Sequence, residues 1–158
     1  MLGWAAPWVL LIAVAASTLP LLEDQFGRQD GPALHPEGLV ILICGAPNKL
    51  RQMKSWEEGL QPRLNREALF LRLVDGREIA PQQREQAKAT LRGKVPPEIA
   101  ILLDWEGLYW KALQLEPGTV ELTFFSGGQA LSYRISGRFH PAAATSLVER
   151  LGKVGGGP

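Results

Sequence analysis

Cysteine is almost missing from the chain, with Cys44 the single one in 158 residues. One thiol excludes an internal disulfide, a Cys-x-x-Cys redox pair and a cysteine-rich zinc site. In the body of the chain, Cys44, His140 and Met53 are the only soft or imidazole groups, so neither a metal nor another cofactor is expected. A charge excess is also lacking: 17 basic and 16 acidic side chains leave a net charge of +1. That balance excludes a broad electrostatic footprint for nucleic acid. Nucleotide and zinc-protease signatures (GxGxxG, a P-loop, HExxH) are absent, and Ser126, Ser132 or Ser136 with His140 is only a collection of residue types.

What is present is enough apolar material, 46% of residues, for one ordinary domain with a short extra segment. No charged side chain occurs from Leu2 to Leu22. The run from Trp4 approaches the ~20 residues of a membrane-spanning helix, with Trp4 and Trp8 placed for one interface and Leu11 and Ile12 in the apolar centre. Residues 1–22 are therefore expected to form a transmembrane anchor. A cleaved signal peptide is the alternative, because Ala13-Val14-Ala15 is a small-x-small pattern. Against cleavage, no Lys or Arg precedes the run, and it continues beyond that site. Residues 23–38 are polar and broken by Gly27, Gly31, Pro32, Pro36 and Gly38, which reads as a linker with His35 exposed in it.

The body begins with the continuous branched run Leu39 to Cys44, expected as a central strand covered on both faces. Asn48 reads as an N-cap, and Met53, Trp56, Leu60 and Leu64 give the following helix one buried stripe. A second strand is expected over Ala68 to Val74, and Pro81 opens a mostly polar helix closed by Gly93. A third strand runs from Ile99 to Leu103, ends at Asp104 and leads into a short helical turn at Leu108 to Leu113. Val120 to Phe125 and Ala130 to Ile135 flank Ser126-Gly127-Gly128-Gln129, a hairpin turn. Pro141 starts the last helix, with Ala144, Leu147, Val148 and Leu151 on one face, and the residues from 153 on form a flexible tail.

This order resembles the thioredoxin fold, in particular membrane-tethered thioredoxin-like proteins of the TlpA and cytochrome-c-maturation type, with peroxiredoxins as relatives. The stretch EIAILLDWEGLYWKALQLEPGTVELTFFSGGQALSYRISGRFHPAAATSLVERL is similar to the family's run: a strand ending in Asp, a short helix, a Gly-Thr loop, a hairpin and a final helix. The resemblance implies an α/β three-layer sandwich with a mixed central sheet over residues 39–152. Setting Arg51-Gln52-Met53, one residue shorter, against the family's basic-x-x-Met puts Pro47, Asn48, Lys49 and Leu50 where Cys-x-x-Cys belongs. Val120 then stands where a cis-proline shapes the family's substrate groove, and a cis bond there would cost about 2.5–4 kcal/mol.

The resulting expectation is a redox-inactive domain at the periplasmic side of a bacterial inner membrane, serving as accessory or assembly subunit of a membrane protein complex. The alternatives are a thiol-disulfide oxidoreductase or peroxiredoxin-like enzyme using Cys44 alone, and a secreted soluble binding domain. Cys44 is three residues before the first family cysteine, in a strand expected to be buried, which suits structural duty better than reactivity. Trp105, Tyr109 and Trp110 form an aromatic cluster that could serve as a partner contact.

Overall fold

The computed structural model describes residues 14–153. In chain order the regular elements are β1 (Leu22–Glu23), β2 (Gln29–Asp30), β3 (Leu39–Gly45), α1 (Leu50–Leu60), β4 (Ala68–Asp75), α2 (Arg84–Lys94), β5 (Ile101–Asp104), α3 (Leu108–Ala112), β6 (Glu121–Ser126), β7 (Gln129–Ala130), β8 (Ile135–Ser136) and α4 (Pro141–Lys153). Short 3-10 turns precede α1 at Pro47–Lys49 and α2 at Pro81–Gln83. Proline suits such entries because its fixed φ fits a first turn and its missing N–H has no partner to lose there.

The main sheet has the order β5-β4-β3-β6-β7, with β8 also on β6. β3 pairs in parallel with β4 and antiparallel with β6, and β4 pairs in parallel with β5. All seven residues of β3 are buried, as a central strand covered on both faces requires. Its side chains alternate between two cores. Leu39, Ile41 and Ile43 face Met53, Trp56 and Leu60 of α1 and Ala144, Leu147 and Leu151 of α4. Val40, Leu42 and Cys44 face the opposite way, toward α3, Leu113 and Leu115.

Among the described residues that second face has one short α-helix, α3, and the segment from Val14 on adds to its cover. Ala130 N–H donates to the Val14 carbonyl at 2.9 Å and Ala16 N–H to the Gly128 carbonyl at 2.8 Å, so the segment starts at the β7 edge. It crosses the face through buried Ala16, Leu19 and Leu22 and reaches the other edge, where Asp24 bridges Leu102 of β5. Tyr109 Oη ties the crossing down by donating to the Pro20 carbonyl at 2.6 Å. Gly31 makes room for this bond, since a Cβ there would stand 2.9 Å from the same hydroxyl.

The expected linker over residues 23–38 is corrected by this arrangement: β1 and β2 pair as a hairpin, and Asp24 and Gln25 are 2% and 0% exposed. The Asp24 carboxylate accepts from the Phe26 and Arg28 amides and from Arg28 Nε. The Gln25 amide occupies the free edge of β5, donating to the Ile99 carbonyl and accepting from Ile101 N–H, each at 2.7 Å. Polarity thus signals edge pairing here, not exposure. His35 is half-buried and lies 2.8 Å from Asp30.

The expected anchor is likewise corrected over its second half. Residues 14–22 pack on the sheet, where the spacing of Ala16, Leu19 and Leu22 buries them and Pro20 opposes a continuous helix. Trp4, Trp8, Leu11 and Ile12, and the tail beyond residue 153, lie outside the described residues. No described helix is long and apolar enough to cross a membrane.

Three smaller corrections concern local signals. Asn48 makes no side-chain cap and lies inside the 3-10 turn. The polar helix continues through Gly93 to Lys94. The strand expected from Ala130 to Ile135 divides into β7 and β8. The Gly127-Gly128 turn itself is as expected, with φ of +58° and +79° at the two glycines, the left-handed values that a two-residue hairpin loop needs.

Gln25→Ala leaves the Ile99 carbonyl and Ile101 N–H without their side-chain partners, and is expected to cost about 2–4 kcal/mol in urea unfolding and to speed exchange of the Ile101 amide. Gly59→Ala should also destabilise. A Cβ at Gly59 would stand 2.1 Å from the Phe139 ring, which meets Trp56 edge-on at 5.3 Å. Overpacking of this kind costs about 1–3 kcal/mol and outweighs the ~1 kcal/mol usually gained by Gly to Ala in a helix.

Candidate functional site

The end of β3 runs through Ala46 into the 3-10 turn and then α1, so Pro47 to Leu50 occupy the tip of a buried strand. Pro47 and Asn48 are exposed, while Lys49 and Leu50 are half-buried. Across from them the Pro117–Gly118 loop approaches, with Gly118 at φ +83°. Val120 is buried, and no described peptide bond is cis. Between these parts lies an open groove of about 530 Å³ lined by Pro47, Asn48, Lys49, Asp75, Glu78, Ile79, Pro117 and Gly118. The groove presents an amide, an ammonium and two carboxylates, one of them, Asp75, paired with Arg77 at 2.7 Å.

Cys44 does not reach it. The thiol is 1% exposed and belongs to the opposite core, among Leu42, Leu73 and Trp110. Burial pushes its pKa well above the ordinary range, the Glu121 and Asp104 carboxylates push it further, and Arg134 offsets them in part. A thiolate is the nucleophile in exchange chemistry, so this environment holds Cys44 in its unreactive form. Glu121 stands directly opposite on β6, 7% exposed, accepting from the Glu116 amide at 3.2 Å, with Arg134 Nη1 3.7 Å from its other oxygen. The sequence reading passed over Glu121 because a polar residue at a strand start reads as exposed.

The aromatic cluster is mostly core, which corrects the partner-contact expectation at two of its three positions. Tyr109 and Trp110 are 0% and 3% exposed. Asp104, also fully buried, caps α3 by accepting from the Leu108 and Tyr109 amides at 2.8 and 2.9 Å. Burial raises the Asp104 pKa, and these same amides work against the rise. Trp105 is half-buried: its ring lies against Gly76, where a Cβ would approach it to 2.6 Å, and the Arg84 guanidinium stacks 5.2 Å from its centre. His140 caps α4, its Nδ1 accepting from the Ala142 amide at 3.2 Å. Among the described residues no three His, Cys, Asp or Glu side chains come together as a metal site.

The sign of one pH effect follows. The folded thiol keeps its proton while an unfolded thiol loses it near pH 8.5, so the unfolded chain holds fewer protons and stability falls as pH rises from about 8.5. Burial raises the Tyr109 phenol in the same direction, adding a second loss that starts from about pH 10. Unfolding titrations should show Cys44→Ala flattening the first part of this decline while leaving the second in place.

No family model matches the chain, and neither does any curated protein. Solved structures do. The pneumococcal exposed lipoprotein thioredoxin Etrx1 of Streptococcus pneumoniae superposes with a TM-score of 0.65 at 14% identity, covering 83% of this chain and 98% of that one. A secreted Mycobacterium tuberculosis disulfide oxidoreductase homologous to E. coli DsbE gives 0.59 at 12% identity, covering 85% and 97%. BsSco, a member of the Sco family of cytochrome c oxidase assembly proteins, gives 0.56 at 12% identity, covering 89% and 95%. The chain therefore has the thioredoxin-like fold, with a single cysteine.

Proposed function

We propose that this domain is redox-inactive and acts by contact, as an accessory or assembly subunit of a membrane protein complex on the periplasmic side of a bacterial inner membrane. The carrying observation is that the only thiol is sealed inside the sheet, while Pro47, Asn48 and Lys49, which the resemblance sets with Leu50 at the place of the redox pair, line an open groove. Two-cysteine exchange needs an attacking and a resolving sulfur, and this chain has one. The likeness to BsSco, a member of the Sco family of cytochrome c oxidase assembly proteins, fits such a role, as does the likeness to an exposed lipoprotein. Residues 14–22 belong to the fold, and the charge-free residues before position 14 are fewer than the ~20 of a spanning helix, so the attachment proposed through them is to the membrane interface or to the complex.

The competing reading, an enzyme using Cys44 alone, needs the thiol to be reached, and the secreted reading needs cleavage near Ala16. Such cleavage would remove the Val14 carbonyl that accepts from Ala130, which supports an uncleaved amino end. The test compares the full chain with its Cys44→Ala variant in insulin reduction, in alkylation under native conditions and in retention on membranes extracted with mild detergent. The expected results are no insulin reduction, alkylation at least a hundredfold slower than for the unfolded chain, and equal retention of both proteins. Rapid alkylation or a mixed disulfide trapped on Cys44 overturns the proposal.

A further inference from the structure

A second cleft lies on the other side of Pro47 and Asn48, between the start of α1 and the connection from α2 to β5. It measures about 540 Å³, and four cations line it: Arg51 and Lys54 of α1, Arg72 of β4 and Lys94 at the end of α2. No carboxylate is part of the lining, although the protein as a whole is nearly neutral. Local sequence explains the convergence. Arg51 and Lys54 are three apart and so share a face of α1. Arg72 occupies a core-facing position of β4, in phase with Phe70 and Val74, with its side chain only 8% exposed. Glu57 holds it there, with Arg72 Nε donating to Oε2 at 2.6 Å.

Two of the four cations are paired, Arg72 with Glu57 and Lys54 with Glu58 at 3.5 Å, so the net positive charge of the cleft is carried by the other two. Glu98 is in the adjoining loop but outside the lining. Arg51 and Lys94 are exposed and have no ionic partner among the described residues. The rest of the lining is mostly apolar, with half-buried Leu50, Val95 and Ile99 forming its floor beside Pro47 and Pro96. Across Pro47 and Asn48 the first groove carries Lys49 with Glu78 and an Asp75 already paired with Arg77, so it lacks the second cleft's excess of cations.

Resting on the contact role proposed above, we infer that the cationic cleft receives an acidic peptide segment of a partner protein, with one apolar side chain seated on its floor. Charge complementarity selects an anion, and the apolar floor selects one carrying an apolar group. The open form admits a chain passing through it. A flat anionic membrane surface would meet a concave site only at its rim. Cationic walls also steer acidic partners from a distance, an effect that weakens with salt.

The test uses the full chain and a fluorescein-labelled Glu-Glu-Leu-Glu-Glu peptide, read by fluorescence anisotropy. Gln-Gln-Leu-Gln-Gln and Glu-Glu-Ser-Glu-Glu peptides serve as controls. The glutamate-leucine peptide is expected to bind at least tenfold more tightly than either control and to weaken as salt rises. The double variant Arg51→Glu with Lys94→Glu should lose at least tenfold, Arg51→Lys should stay within about threefold, and Glu78→Lys in the neighbouring groove should not weaken binding. Both reversed positions are exposed, so unchanged melting of the double variant is expected and is checked first. Equal affinity for the glutamine peptide, or for the double variant, overturns the inference. Displacement by millimolar phosphate, or cleft-dependent binding only to phosphatidylglycerol vesicles, also overturns it, in favour of a small anion or a lipid surface. Thiol activity with peptide discrimination intact would sink the redox-inactive reading alone, whereas loss of discrimination in a chain without thiol activity would sink the cleft alone.

Discussion

Full burial of β3 is the constraint that the remaining elements satisfy. A strand with no exposed residue needs ladder partners on both edges and apolar cover on both faces. β4 and β6 supply the edges, and α1 with α4 covers one face. Among the described residues the other face has the five-residue α3 as its one α-helix, with Leu113 and Leu115 after it, too little for a sheet of this width. The segment from Val14 to Asp24 makes up the difference and closes the two outer edges as it does so. Exposed sheet edges invite pairing with other chains, so one strip of backbone serves both as cover and as protection against misassociation.

The same geometry decides the chemistry. Alternation along β3 sends Cys44 to the face under α3, opposite Glu121 and away from the strand's outer tip. No small adjustment of the tip would bring the sulfur out, because moving it by one position would turn every side chain of the strand to the other face. What the tip does present is a ridge, Pro47-Asn48, with a groove containing Asp75 and Glu78 on one side and a cationic cleft on the other. A surface divided in this way distinguishes the orientation of whatever rests on it, and recognition can replace reaction at such a place.

Much of the central architecture was legible in the sequence. Leu39 to Gly45, the stripe Met53-Trp56-Leu60, the Gly127-Gly128 turn and the stripe of α4 each follow from periodicity and turn chemistry. The amino-terminal strip was not legible, because the three-residue spacing of Ala16, Leu19 and Leu22 is hidden in a run that is apolar almost throughout. Its order comes from backbone bonds to residues far along the chain and from one amide, Gln25, acting as a substitute strand. Likewise the apolar run up to Leu22 satisfies a membrane pattern and a core pattern equally well, and only tertiary packing separates them. Of the candidate site, the absence of a redox pair was plain from the cysteine count. The cationic cleft was not, since Arg51, Arg72 and Lys94 belong to three different elements.

Residues 14–16 make their bonds with residues 128–130, nearly the whole length of the domain away. Such non-local pairing closes a very long loop, and its entropy is recovered only after the intervening strands are in place. During synthesis the amino-terminal strip leaves the ribosome first, yet its docking place at β7 is among the last parts to be made. The β5 edge can be met earlier, since Asp24 and Gln25 bind residues 99–102. Closure at the other edge waits for the Gly127-Gly128 hairpin, which acts as the latch of the amino-terminal strip.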